Sequence, residues 1–166
     1  AGSDPLKDIE AGVIKILADT GFKPNTFALG YEVFSDLRRH PDVKDQFKYT
    51  SLESVTPVML AGLLGVERVM VAEAVYATNV EGETAATALI AGKNALLCYA
   101  APSPGIEVPS AGYIFHWTGV SGGLGAAAAV ANIRMPHLRS DRIEVEMAWD
   151  DKVVSKPMGY FFSTAV

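Results

Sequence analysis

Cysteine is almost absent from this chain: its 166 residues include one, Cys98, so no disulfide can close within it. A reducing, intracellular folding compartment is the expectation that follows. Cys98 lies in the apolar run Ala95-Leu96-Leu97-Cys98-Tyr99 and reads as a small buried hydrophobe, not a reactive thiol. Histidine is nearly as scarce. His40, His116 and His137 stand far apart and lack the spacing that sets two metal ligands on one helix face. No zinc, calcium or P-loop pattern occurs, so neither metal nor cofactor is expected. Charged residues make up 20% and the formal net charge is −5, which argues against wrapping nucleic acid through phosphate contacts. Arg38-Arg39-His40, with Arg134 and Arg139, forms a modest basic set that reads as a solvated face or an inter-subunit salt-bridge site. No apolar run approaches the roughly 18–20 residues that span a bilayer. The first ten residues are polar and carry no signal-peptide core, so no membrane partner is expected.

What the chain does contain is apolar surface: 49% of its residues are hydrophobic, enough for one compact domain with a real core. No linker or internal repeat divides it, and a single domain over residues 1–166 is expected. Ser3-Asp4-Pro5 is a cap-then-proline helix start. Leu6, Ile9, Val13, Ile16 and Leu17 then recur at helical spacing up to a stop at Gly21, a helix about 24 Å long at ~1.5 Å per residue. Lys23-Pro24-Asn25 reads as a turn and Thr26–Leu29 as a short strand. Tyr31–His40 follows as a helix with Val33, Phe34 and Leu37 on its apolar side, and Pro41 interrupts it before a further helical turn. Thr56-Pro57 repeats the capping device ahead of a short helix, Val58–Leu64, closed by Gly65. Val66–Tyr76 reads as one strand, Asn79–Thr87 as a loop, Ala95–Tyr99 and Tyr113–Thr118 as strands. Ser121–Ala129 is nearly pure Gly and Ala. Arg142–Met147 alternates, with Ile143, Val145 and Met147 on one side; Asp150-Asp151 reads as a turn, and one or two strands close the chain. The fold class expected is α+β, with helices on a mixed sheet in two subregions.

Two motifs invite a catalytic reading. Gly119-Val120-Ser121-Gly122-Gly123 matches a nucleophile elbow, but no Asp or Glu lies between Ser121 and His137, and too little chain follows for a hydrolase sheet. Gly123-Leu124-Gly125-Ala126-Ala127-Ala128 matches a relaxed dinucleotide fingerprint, yet strands follow it where alternating β and α units belong. Both patterns read better as a close-packed Gly/Ala loop. A small nucleotide-binding enzyme using the Gly123–Ala128 loop is the rival to a non-enzymatic reading.

Six phrases occur in a fixed order: Ser3-Asp4-Pro5 with Asp8-Ile9; Pro24-Asn25 with Gly30; His40-Pro41-Asp42; Leu60-Ala61 through Val66; Gly112-Tyr113 with Phe115 and Trp117; and Asp151-Lys152-Val153-Val154 with Gly159-Tyr160. As an ordered set they resemble the shell-forming domain of tailed-bacteriophage major capsid proteins with the Hong Kong 97-like fold. The resemblance implies a spine helix in a peripheral portion and an axial portion from the middle of the chain. It also implies a structural subunit that is no enzyme and needs no cofactor or small-molecule substrate. Its partners would be copies of itself in pentamers and hexamers, with packaged DNA only an indirect partner. Its place would be the virion, and the bacterial host cytoplasm before assembly. An encapsulin-like compartment shell is the variant of that reading. Such proteins carry an N-terminal arm and an extended hairpin loop before the spine helix, both missing here, so a piece of a longer chain is expected. Gly119, Ser121, Gly122, Gly123 and Gly125 form the candidate subunit-contact loop, since small residues let several copies crowd at a ring axis.

Overall fold

The computed structural model describes residues 4–47, 55–119 and 129–166, with the backbone alone at Ala129. Helix α1 spans Pro5–Thr20. The Asp4 carboxylate accepts the Lys7 amide at 3.2 Å, and Gly21 ends the helix in the left-handed conformation at φ 75°. Strand β1 (Thr26–Gly30) leads into α2 (Tyr31–Arg39), which Pro41 separates from α3 (Pro41–Gln46). Helix α4 (Pro57–Leu64) is capped by the Thr56 hydroxyl, which accepts the Met59 amide, and is closed by Gly65 at φ 65°. These are the helices the sequence predicts, because caps and prolines act locally.

The strands depart further from expectation. The apolar run after Val66 is two strands, β2 (Arg68–Ala72) and β3 (Val75–Ala77). β2 joins the main sheet, while β3 pairs antiparallel with β4 (Thr87–Leu89), the second arm of a hairpin across the predicted loop. Asn79 braces that loop, its side-chain oxygen accepting the Ala86 amide at 3.1 Å. β5 (Ala95–Cys98) and β6 (Gly112–His116) fall as predicted. β7 (Ala129–Met135) was not predicted; its alanines carry little β propensity, and its ladder to β8 (Ser140–Glu146) holds it extended. Asp150-Asp151 is not a turn but part of β9 (Trp149–Val153), and β10 (Gly159–Phe162) closes the chain.

The described residues cluster into two compact units, residues 1–111 with 155–166, and residues 112–154. The first is built on a four-stranded sheet in the order β10-β5-β1-β2. β1 and β2 run parallel, so the chain needs a crossover between them, and α2, α3 and α4 supply it. Two cross-strand rows, Val69-Phe27-Leu97-Tyr160 and Val71-Leu29-Ala95-Phe162, point to the helical side. There Phe27, Leu29, Ala95 and Leu97 are buried with Ile9 and Ile16 of α1, Val33, Phe34 and Leu37 of α2, and Leu60 and Ala61 of α4. Phe162 meets Phe27 edge-on with ring centroids 6.3 Å apart.

Asn25 ties the sheet ends together. Its side-chain amide donates to the Ala100 carbonyl at 2.8 Å, and its side-chain oxygen accepts the Ala100 amide at 2.9 Å. Its own carbonyl accepts the amides of Glu67 and Arg68 at the start of β2. The second unit consists of two antiparallel ribbons, β6 with β9 and β7 with β8.

Candidate assembly surfaces

Strands that are apolar on both faces need cover on both faces. β5 reads Ala95-Leu96-Leu97-Cys98 and β10 reads Gly159-Tyr160-Phe161-Phe162, yet the buried core lies on one side of their sheet. On the other side the row Met70-Ala28-Leu96-Phe161 crosses all four strands in register. Phe161 is 61% and Met70 54% exposed, and Leu96 is exposed beside them. Ile90 and Ala91 extend this row into an apolar groove of about 340 Å³. The strand sequences carried the signal, because a half-covered sheet strand alternates and these do not.

In the second unit none of the described side chains is buried. Two-stranded ribbons do not hold themselves together in water without an apolar face packed on something. On β7–β8, Val130 and Val145 stand directly opposite one another with Ile143 beside them on the same face, and all three are exposed. On β6–β9, Ile114, Val153 and Trp149 share a face and are likewise exposed. Ile143 and Val145 therefore do form one face, as their alternation predicts, but that face is open.

Of the candidate loop, Gly119 is described, and Ser121, Gly122, Gly123 and Gly125 lie outside the described residues, as do the elbow serine and the fingerprint glycines. At Gly119 a Cβ would come within 2.8–3.1 Å of the exposed Trp117 indole, so a larger residue there would require that ring to shift.

The titratable groups build no catalytic set among the described residues. No three His, Cys, Asp or Glu side chains there converge on a metal position. His40 Nδ1 is buried without a hydrogen bond, 3.5 Å from the Asp42 carboxylate. Tyr113 and Phe115 contact on one face of β6, which puts His116 on the other, opposite Trp149. Burial pushes the Cys98 thiol up, with Arg68 opposing, so the sulfur stays protonated. Hydrogen bonds from Lys7 hold the Asp4 carboxyl below its ordinary value.

A cleft of about 300 Å³ opens in the first unit where α1, α2 and the chain's last residues meet. Ile9, Phe27, Leu37 and Phe162 form its apolar wall, while Asp8, Asp36 and His40 are its polar lining. It has the size of the smallest ligand sites, ~300 Å³, and suits one or two side chains. Residue spacing gave no notice of it, since Asp8 and Asp36 belong to different helices.

No protein-family model matches the chain. It is 35% identical over 99 residues to the major capsid protein of Burkholderia phage BcepMu, a match covering 60% of this chain and 31% of that protein. The crystal structure of a phage-related protein from Bordetella bronchiseptica RB50 superposes on it with a TM-score of 0.84 at 28% identity. That superposition covers 98% of this chain and 52% of the solved one, so the chain spans about half the length of its structural relative and less than a third of the capsid protein. The chain is thus an α+β protein, similar over nearly its whole length to a phage-related protein and over part of it to a phage major capsid protein.

Proposed function

We propose that this chain is a structural subunit of a phage capsid, which works by pressing against copies of itself and carries out no reaction. One observation carries the reading: the sheet is apolar on both faces but has its helices on one, leaving Met70, Leu96 and Phe161 open to a neighbour. The ribbons of residues 112–154, with no buried side chain among those described, support it in the same way. The likeness to a major capsid protein supplies the biological setting.

The finer reading is a Hong Kong 97-like subunit, with residues 1–166 as one capsid-protein domain within a longer chain. α1 would be the spine helix of its peripheral portion, and the middle of the chain would form the axial portion. Gly119, Ser121, Gly122, Gly123 and Gly125 would crowd at the centre of pentamers and hexamers. The subunit would reside in the virion after passing through the host cytoplasm, touch DNA only indirectly, and need no cofactor. Electron microscopy of the concentrated chain tests this. Rings of five or six copies are the expected result, while dispersed single copies together with calorimetric heat on adding a dinucleotide would replace it with the nucleotide-binding reading.

A further inference from the structure

The turn between β7 and β8 presents an apolar anchor beside a cation. Pro136–Leu138 form a 3-10 turn, and Arg139 follows in the left-handed conformation at φ 47°. Its amide donates to the Pro136 carbonyl at 3.3 Å, which sets the direction of the tip. Leu138 is 64% exposed at this tip. The two flanking arginines are already engaged, Arg134 with Asp141 at 2.8 Å and Arg142 with Glu144 at 2.6 Å. Arg139 has no ion pair among the described residues, so it is the free cation of the ribbon.

The cleft beside α1 and α2 has the opposite character. Asp8 and Asp36 are exposed carboxylates at an apolar opening, neither has an ion pair among the described residues, and no Lys or Arg lines the cleft. An apolar hole with unpaired negative charge fits a side chain that brings a hydrocarbon anchor and a positive neighbour. The chain carries such a pair in Leu138-Arg139.

We propose that the β7–β8 tip of one copy docks in the α1–α2 cleft of a second copy, with Leu138 entering against Ile9, Leu37 and Phe162 and Arg139 lying between Asp8 and Asp36. This deepens the reading of self-assembly and rests on it. Tip and cleft are different surfaces, so the contact is head-to-tail and propagates until a ring or filament forms.

Complementation tests the pairing by sedimentation velocity on the whole chain. A tip variant carries Leu138→Ser with Arg139→Gln, and a cleft variant carries Asp8→Lys with Asp36→Lys. All four positions are exposed, so the fold is expected to survive, with circular dichroism as the check. Each variant alone is expected to associate about 30-fold more weakly than the wild type, the scale of losing an interface anchor. An equimolar mixture restores one good tip to one good cleft and stops at a 1:1 pair. Wild-type association left unchanged in either variant, or a mixture that fails to pair, overturns the docking while self-assembly stands. A wild type that never associates overturns both. Should the cleft variant unfold, the tip variant decides: association that survives it overturns the proposal.

Discussion

Gly30 at the end of β1 lies against Gly92: a Cβ on Gly30 would come within 2.0 Å of the Gly92 carbonyl oxygen, far inside contact distance. The Gly30 amide also donates to the Asn94 carbonyl at 3.0 Å, so the two segments cannot simply part. Gly30→Ala is expected to cost about 3 kcal/mol, as overpacking against backbone does. Urea unfolding checks it, and an unchanged midpoint would mean that the Gly92 turn yields freely.

Asn25 places a second demand on the same corner. Asn25→Ala leaves the Ala100 amide and carbonyl without their side-chain partners, at a cost of roughly 2–3 kcal/mol. Asn25→Asp is nearly isosteric but replaces the donor facing the Ala100 carbonyl with a second acceptor, so it should be no better. Thermal melts of both variants at neutral pH decide this; an Asp variant as stable as the wild type would refute the hydrogen-bond explanation.

Leu97, inside the core, and Phe161, on the open row, should separate stability from association. Leu97 is fully buried, and Leu97→Ala is expected to cost ~2–5 kcal/mol. Phe161, in the open row with Leu96, can become Ser within ~0.5 kcal/mol of the wild type, because surface changes rarely cost more. Its effect should appear as weaker self-association. A large drop in melting temperature for Phe161→Ser would mean that this face is already covered within one chain.

Two titrations have definite signs. The raised Cys98 value means that its contribution to stability is complete below the thiol's ordinary range and is lost as pH rises through the folded value. Alkylation of Cys98 near the ordinary thiol range should be slow in the folded chain and fast in denaturant. The depressed Asp4 value acts the other way: its contribution is present above the ordinary carboxylate range and is lost as pH falls through the folded value. Asp4→Asn should flatten the acid limb of the stability profile, measured by circular dichroism. Equal acid sensitivity in both proteins would contradict the assignment.

The four helices were legible because their ends are written locally, in Asp4-Pro5, Pro41, Thr56-Pro57, Gly21 and Gly65. The break at Glu73-Ala74 was not, since partners far along the chain decide where β2 stops and β3 begins. β7 was hidden for the same reason: Ala129-Val130-Ala131-Asn132 has no strand pattern of its own and gains one from β8. Gly30 and Asn25 stood out as parts of an ordered phrase, and the close approach and the buried amide supply the physical reason. The open face could have been read from the unbroken apolar run of β5, but only by knowing that helices occupy one side of its sheet.

The most direct test of a chain completed by its own copies is amide hydrogen exchange at dilute and concentrated protein. The β6–β9 and β7–β8 ribbons should gain protection with concentration, while β1 and β5, already inside one subunit's core, stay protected throughout. Identical exchange in the ribbons at every concentration would contradict the account.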